Sequence, residues 1–215
     1  MTWAVEALRL SPADFHARPL PEPVSRQVWV NEPTGSALVL GSTQPDALVD
    51  GDACRRAGVE VVRRRSGGGA VLVAPGHLVW VDVLVPRGDP VWQDDVTASF
   101  LWLGEAWAAA LDEHGVPASV HRGGLEPSPW SKEVCFAGRG PGEVLVGEAK
   151  VVGIAQRRAR AGARFQCAAL LRWDPAAVVG LLHLPARAAD ELGAVAAGVP
   201  VAGPALVASL LRHLP

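Results

Sequence analysis

Three arginines run without a break into three glycines in Arg63-Arg64-Arg65-Ser66-Gly67-Gly68-Gly69-Ala70-Val71, a local composition that packing alone does not require. Glycine permits positive φ and lets backbone N–H groups turn inward, so such a loop can form an anion-binding nest with arginines as fixed cations. The flanks limit what it can join. Val59-Glu60-Val61-Val62 precedes it and Ala70-Val71-Leu72-Val73 follows, and β-branched residues at this density predict a strand on each side. A P-loop and a Rossmann turn are thereby excluded, since both need a helix after the glycines and the P-loop also needs a Gly-Lys-Ser/Thr ending. A tight hairpin with solvated arginines is the plain alternative to a phosphate-handling loop.

The rest of the chain suits one large domain, 1–215, because 215 residues with 49% hydrophobic composition can bury a single core. A formal net charge of −2 gives no general attraction to polyanions, so a nucleic-acid partner is not expected and any phosphate site must be local. Cys54, Cys135 and Cys167 form no CxxC pair, which indicates neither a disulfide framework nor a metal site. No export signal and no run of about 18 apolar residues is visible, so a cytoplasmic protein with no membrane partner is expected.

Proline punctuates residues 1–25, which read as an extended arm. Strands are predicted at Val28 to Val30 and Ala37 to Gly41, then a short helix from Pro45 to about Arg56, closed near Gly58. Leu78 to Val85 is apolar except at Asp82, as in a central strand buried on both faces, so Asp82 needs a partner. Val96, Phe100, Leu103, Trp107 and Leu111 predict a long amphipathic helix between Asp89 and Gly115, capped by Asp89-Pro90. Residues 123 to 142 form a long irregular segment of the kind that serves a site. A hairpin follows from Glu143 to Gln156, then a strand from Ala163 to Leu171. Helical pieces are expected around Pro175 to His183, Ala186 to Ala197 and Pro204 to His213.

Eighteen arginines stand against two lysines, Lys132 and Lys150, and arginine cannot imitate a compact ammonium held against a reacting oxygen. Lys150 should start the second strand of the hairpin. Taken alone it reads as an exposed hairpin lysine.

Together, Gly41-Ser-Thr-Gln44, VEVVRRRSGGGAVLVAPGHLVWVDV and GEVLVGEAKVVGIAQRR resemble the catalytic domain of the lipoate-protein ligase A family, over about residues 37 to 172. That family includes cysteine-dependent octanoyltransferases and is related to biotin protein ligases. The resemblance implies an α/β (α+β) fold of the biotin/lipoate ligase type, with a mixed, mostly antiparallel sheet flanked by helices. It implies that Arg64, Arg65, Ser66, Gly67, Gly68, Gly69, Ala70, Gly153 and Ala155 line an acyl-adenylate pocket, with Lys150 at the activated acyl group and its phosphate. ATP and Mg would activate lipoate or octanoate. Strand alternation puts Arg63 and Arg65 on one face and Arg64 on the other, so Arg64 or Arg65 enters the pocket and Ser66 fixes the loop. Trp80, Val81 and Val83 are expected to contribute to an apolar tunnel for the acyl chain.

The chain departs from the family's pattern in several places. Pro141-Gly142-Glu143 stands where ligases carry an Asn-Asp pair for nucleotide and metal, and Leu72-Val73-Ala74 stands where a histidine is usual. The family's N-terminal helix pattern is not visible, and neither is a C-terminal accessory domain, which a separate partner chain would replace. Cys135, in Val134-Cys135-Phe136, matches the nucleophile position of the octanoyltransferases, where the acyl group arrives as a thioester on acyl carrier protein. A thiol set among cations ionises readily enough to attack, whereas a buried packing role is the ordinary use of a free cysteine. The arginine cluster Arg157-Arg158-Ala159-Arg160-Ala161-Gly162-Ala163-Arg164 reads as a solvated face or a docking patch for triphosphate or an acidic protein. His77 and His121 sit in glycine-containing loops as isolated acid or base candidates.

The expected function is attachment of lipoyl or octanoyl groups to the lysine of lipoyl domains, those of 2-oxoacid dehydrogenase complexes or of the glycine cleavage H protein. The expected route is ligation through acyl-AMP. ATP-independent transfer through Cys135 is the second route, a non-catalytic lipoate-binding or partner subunit a third, and biotin ligation a weaker fourth.

Overall fold

The structure, a computed structural model, describes residues 2–215. Among these described residues, ten strands form two sheets. The larger has the order β1-β2-β6-β10-β9-β8-β7, built from β1 (Ala4–Leu10), β2 (Gln27–Pro33), β6 (Leu78–Pro86), β7 (Ser119–Val120), β8 (Val144–Val146), β9 (Ala149–Arg158) and β10 (Gly162–Leu170). The smaller has the order β4-β3-β5, from β3 (Ser36–Leu40), β4 (Val59–Arg63) and β5 (Val71–Val73). Only β1 with β2 and β3 with β4 run parallel, so the sheets are mixed and mostly antiparallel.

Period-two alternation assigns each strand's side chains to separate layers. On β6, Val79, Val81, Val83 and Val85 pack under α3 (Leu101–Asp112) and α6 (Gly203–His213), against Leu103, Trp107, Leu206 and Leu210. Leu78 and Trp80 point the other way, toward Phe15, Val39, Val62 and Val73 between the two sheets. On β3, Ala37 and Val39 join that middle layer, whereas Leu38 and Leu40 pack beneath α2 (Gly51–Ala57), α4 (Pro175–Val179) and α5 (Arg187–Leu192). The expected fold class and the doubly buried central strand are both present, and Asp82 finds its partner: Arg164 Nη2 donates to its carboxylate at 2.6 Å, joined by Asn31 and Trp80.

Two expectations need correction, and one alternative is excluded. The segment expected as an extended arm, 1–25, is not one over its described residues 2–25. β1 lies parallel to β2, and α1 (Pro12–Ala17) buries Phe15 completely, capped by Ser11 and held through its Phe15 carbonyl by Arg164 Nη2 at 2.7 Å. The helix expected from Asp89 begins only at residue 101, after a 3-10 turn at Ala98–Phe100. Asp89 does not cap it, because its carboxylate accepts from Arg26 Nε and Nη2, both at 2.7 Å, while Asp95 Oδ1 takes the N–H of Ala98. The strands flanking the glycines do not form a hairpin either, since β4 and β5 lie on opposite sides of β3 and the loop crosses its end. No helix among the described residues is long and apolar enough to cross a membrane.

Candidate active site

The crossing loop is shaped by close approaches that only glycine allows. A Cβ on Gly69 would lie 2.5 Å from the Val134 carbonyl carbon and 2.6 Å from the Cys135 nitrogen, and Gly68 has φ +97°. The chain at 133–135 therefore docks edge-on: Ala70 N–H donates to Glu133 O and Cys135 N–H to Ala70 O, each at 2.8 Å. Gln44, from the Gly41-Ser-Thr-Gln44 segment, reinforces the junction. Its Oε1 accepts from Gly41 N–H at 2.9 Å and its Nε2 donates to Lys132 O and Glu133 O at 2.8 and 3.0 Å.

A cavity of about 790 Å³ opens between this loop, the 125–143 segment and the middle strands. Arg64, Ser66, Gly67, Gly68, Gly69, Cys135, Lys150, Gly153 and Ala155 line it, as does Trp80. Arg65 is exposed and absent from the wall, Ala70 is buried behind it, and Val81 and Val83 turn into the core under α3. The alternation argument explains the difference between the arginines. Arg64 faces inward at 6% exposure and donates to Gly67 O and Gly69 O at 2.8 and 2.9 Å, with Nη2 3.9 Å from Cys135 Sγ. Arg63 clamps the outer side through Gly41 O, Gln44 O and Asp46. Among the described residues, the amides of Gly67, Gly68 and Gly69 donate to no protein acceptor and remain available to an oxyanion or phosphate.

Lys150 is buried at 1% exposure and is not an exposed hairpin lysine. Its Nζ donates to Cys135 O at 2.7 Å, Gly138 O at 2.6 Å and Glu143 Oε2 at 3.0 Å. Glu143 Oε2 also accepts from Gly140 N–H at 2.7 Å. This partner was legible in principle, because an acidic residue directly precedes apolar β8, whose hairpin mate carries Lys150. Both contacts use the same Glu143 oxygen, Oε2. No group of three or more metal-ligating side chains stands among the described residues.

His16, from α1, is a wall residue the sequence did not single out. Its ring lies 4.8 Å from that of Trp80, and Gln166 Nε2 approaches Nδ1 at 3.4 Å. Burial first, then the Arg164 and Arg64 cations, lowers its pKa to about 3, so the ring is neutral. His77 and His121 lie outside the cavity wall. The arginine cluster divides: Arg164 is the buried partner of Asp82, Arg158 covers Trp92, and Arg157 and Arg160 are exposed. Cys54 and Cys167 are both buried, although Cys167 reaches the cavity wall, and burial pushes both thiols up.

Residues 15–214 match the family model described as the Lipoyl protein ligase A/B catalytic domain. Octanoyltransferase LipM of Moorella thermoacetica is 34% identical over 118 residues, covering 54% of this chain and 42% of that protein. The chain thus spans less than half the length of the curated relative it matches. A bi-partite lipoate protein ligase from Thermoplasma acidophilum, solved as part of a lipoylation system with its E2 lipoyl domain, superposes with a TM-score of 0.75 at 19% identity, covering 99% of this chain and 82% of that one. Lipoate-protein ligase A bound with ATP gives 0.71 at 21% identity, with 99% and 84% covered. The biotin protein ligase of Aquifex aeolicus, in complex with biotin and ATP, gives 0.51 at 13% identity, with 98% and 68% covered. These likenesses in structure are likenesses of fold.

Proposed function

Because the chain belongs to the lipoyl protein ligase A/B catalytic domain family, we propose that it is an acyltransferase that places octanoyl or lipoyl groups on the acceptor lysine of lipoyl domains, with Cys135 carrying the acyl group in between. The observation that carries this reading is the setting of Cys135. Its thiol stands in the cavity wall 3.9 Å from the Arg64 guanidinium, while its N–H and carbonyl are both fixed, by Ala70 and Lys150. The name of the Moorella relative, an octanoyltransferase, supports the same route.

In this mechanism Cys135, reacting as the thiolate, attacks the carbonyl carbon of an octanoyl thioester on acyl carrier protein. The oxyanion meets the free amides of the glycine loop, then collapses and expels the carrier thiolate. The acceptor lysine amine next attacks the acyl-Cys135 carbonyl. A C–N bond forms, the C–S bond breaks, and the thiol regains a proton. One thioester replaces another in the first step, so no nucleotide is consumed. The apolar wall of Val71, Val73, Leu78, Trp80 and Ile154 suits the acyl chain.

One observation favours ligation through acyl-AMP as a second reading: the same free amides suit a phosphate. Against it, Arg64 is committed to loop carbonyls and the Lys150 charge is balanced by Glu143. The deciding experiment is the intact mass of an apo lipoyl domain incubated with the protein and either octanoyl-acyl carrier protein or octanoate plus Mg-ATP. A gain with the carrier thioester alone, abolished by Cys135→Ser, is expected. A gain only with free acid and ATP that survives Cys135→Ser would replace this reading with the ligase, and no gain in either arm would point to a non-catalytic or incomplete subunit.

A further inference from the structure

Two residues of the cavity wall carry a buried side-chain oxygen with no hydrogen-bond partner among the described residues, Ser66 through Oγ and Glu133 through Oε2. A hydroxyl can turn its proton toward an oxygen nearby, so Ser66 is easily accommodated. A carboxylate has no such freedom, because it accepts, and a buried acceptor left without a donor weakens the fold. Among the described residues, no amide and no side chain donates to either carboxylate oxygen of Glu133; Gln44 Nε2, which comes close, donates to the backbone carbonyls of Lys132 and Glu133 instead. The other carboxylate in the wall, Glu143, is met by Gly140 N–H and Lys150 Nζ.

The backbone fixes where Glu133 stands relative to Cys135. Val134 between them is extended, with φ −122° and ψ 122°. It forms a parallel bridge with Ala70, in which Ala70 N–H donates to Glu133 O and Cys135 N–H to Ala70 O, each at 2.8 Å. In such a segment residues i and i+2 share a side and lie about 6.5 Å apart. Val134 is turned into the core beneath α2 and α4, which leaves Glu133 and Cys135 on the cavity side, where both line the wall. The segment also starts at the rim, since Lys132 is exposed there, as are Thr43, Pro45 and Leu125. A group entering past these residues meets Glu133 before Cys135.

We propose that the Glu133 carboxylate receives the acceptor lysine, taking a hydrogen bond from its amine and holding the nitrogen against the acyl group on Cys135. On the acyl-transfer reading of the site, which this assignment presupposes, Cys135 and the glycine loop serve the acyl group, and the incoming amine still needs a partner. A lysine brings the donors that Glu133 lacks. The attacking amine can point one N–H at Glu133 while its lone pair faces the carbonyl carbon. As the C–N bond forms and the C–S bond breaks, the nitrogen gives up one proton and the Cys135 thiolate takes one up, so Glu133 binds the amine and is itself unchanged.

Separating the two half-reactions tests this role. Wild type and Glu133→Ala are loaded with octanoyl-acyl carrier protein while the gain in intact mass is timed, and apo lipoyl domain is then added to follow the octanoyl group from enzyme to domain. The loaded proteins are also challenged with mercaptoethanol, which takes the acyl group without offering an amine. Losing a hydrogen bond to a carboxylate should slow transfer to the domain about tenfold or more, with loading and release to mercaptoethanol within about twofold of wild type. Near-ultraviolet circular dichroism of the eight tryptophans checks folding. Glu133→Gln, which keeps the shape and one acceptor oxygen, replaces the alanine variant if that one fails to fold, with an expected loss of about threefold or more. Transfer at the wild-type rate in a folded, loaded Glu133 variant overturns the proposal and leaves the Cys135 route standing. Equal slowing of loading, release to mercaptoethanol and transfer also overturns it, because the side chain would then only support the wall. If the wild type loads only from octanoate plus Mg-ATP, and transfer from that loaded form is selectively slow in the Glu133 variant, Glu133 keeps its role and Cys135 is refuted as the carrier.

Discussion

His16 shows how one side chain couples the cavity to pH. Its pKa is lowered to about 3 by burial and by two arginines, whereas in the unfolded chain it is an ordinary imidazole near its usual 6.5. The native state therefore binds fewer protons than the unfolded one. The stability this provides is complete above the unfolded value and is lost as pH falls from about 6.5 toward about 3. Between about pH 7.5 and about pH 5 the loss attributable to His16 should be about 2 kcal/mol, less whatever solvent screens at this partly exposed ring. Urea unfolding of wild type and His16→Gln at both pH values measures it, and equal slopes would show that His16 is not the group responsible. Residues of this kind were not legible in the sequence. Lys150 stood out because the chain uses arginine almost everywhere else, and Cys135 because its spacing to Lys150 matched a known pattern. His16 and Gln44 act through contacts made across the fold, and Glu143 was read as the loss of a metal-binding pair when it is the partner of the lysine seven residues on.

At the level of elements, the strands were legible where burial writes an unambiguous pattern. β6 is continuous and apolar because helices cover one face and the small sheet the other, and β3 alternates between two different layers. Residues 1–25 were misread because β1 is an edge strand, mostly exposed, and edge strands carry little hydrophobic signal. The start of α3 was misplaced because apolar Val96 fits the helical spacing yet lies 53% exposed in the turn before it. Gly104, inside α3, gives a prediction of unusual sign. Glycine to alanine in a helix interior ordinarily stabilises by roughly 0.5–1 kcal/mol. Here the added Cβ would sit 2.2 Å from the Gly142 carbonyl oxygen, so α3 and the 140–143 segment would have to part. Gly104→Ala is expected to destabilise by roughly 1–3 kcal/mol, as overpacking does, and to slow acyl transfer by disturbing Glu143. A thermal midpoint at or above that of wild type would refute the packing argument.

Across the whole molecule, one buried ion pair ties the N-terminal segment to the centre of the large sheet. Arg164 on β10 donates to Asp82 on β6 through Nε and Nη2, and the same guanidinium reaches Phe15 O and Arg18 O at the end of α1, at 2.7 and 2.9 Å. Asp82 is fully buried, so its charge depends on this partner more than on Asn31 or Trp80. Replacing Arg164 with Met keeps most of the side-chain volume but strands the carboxylate, which should cost about 3–5 kcal/mol. Adding Asp82→Asn removes the stranded charge and should recover a good part of that loss, the coupling being read from a double-mutant cycle in urea. The pair also has a local consequence, because α1 carries His16 into the cavity wall. Both variants lack the guanidinium that holds the α1 carbonyls, so chymotryptic cleavage after the buried Phe15 should quicken in each, and acyl transfer should fall in each even where global stability has been restored. If cleavage after Phe15 and transfer both return to wild-type levels in the double variant, the pair acts only through the sheet, and the N-terminal segment holds its place by the burial of Phe15 alone.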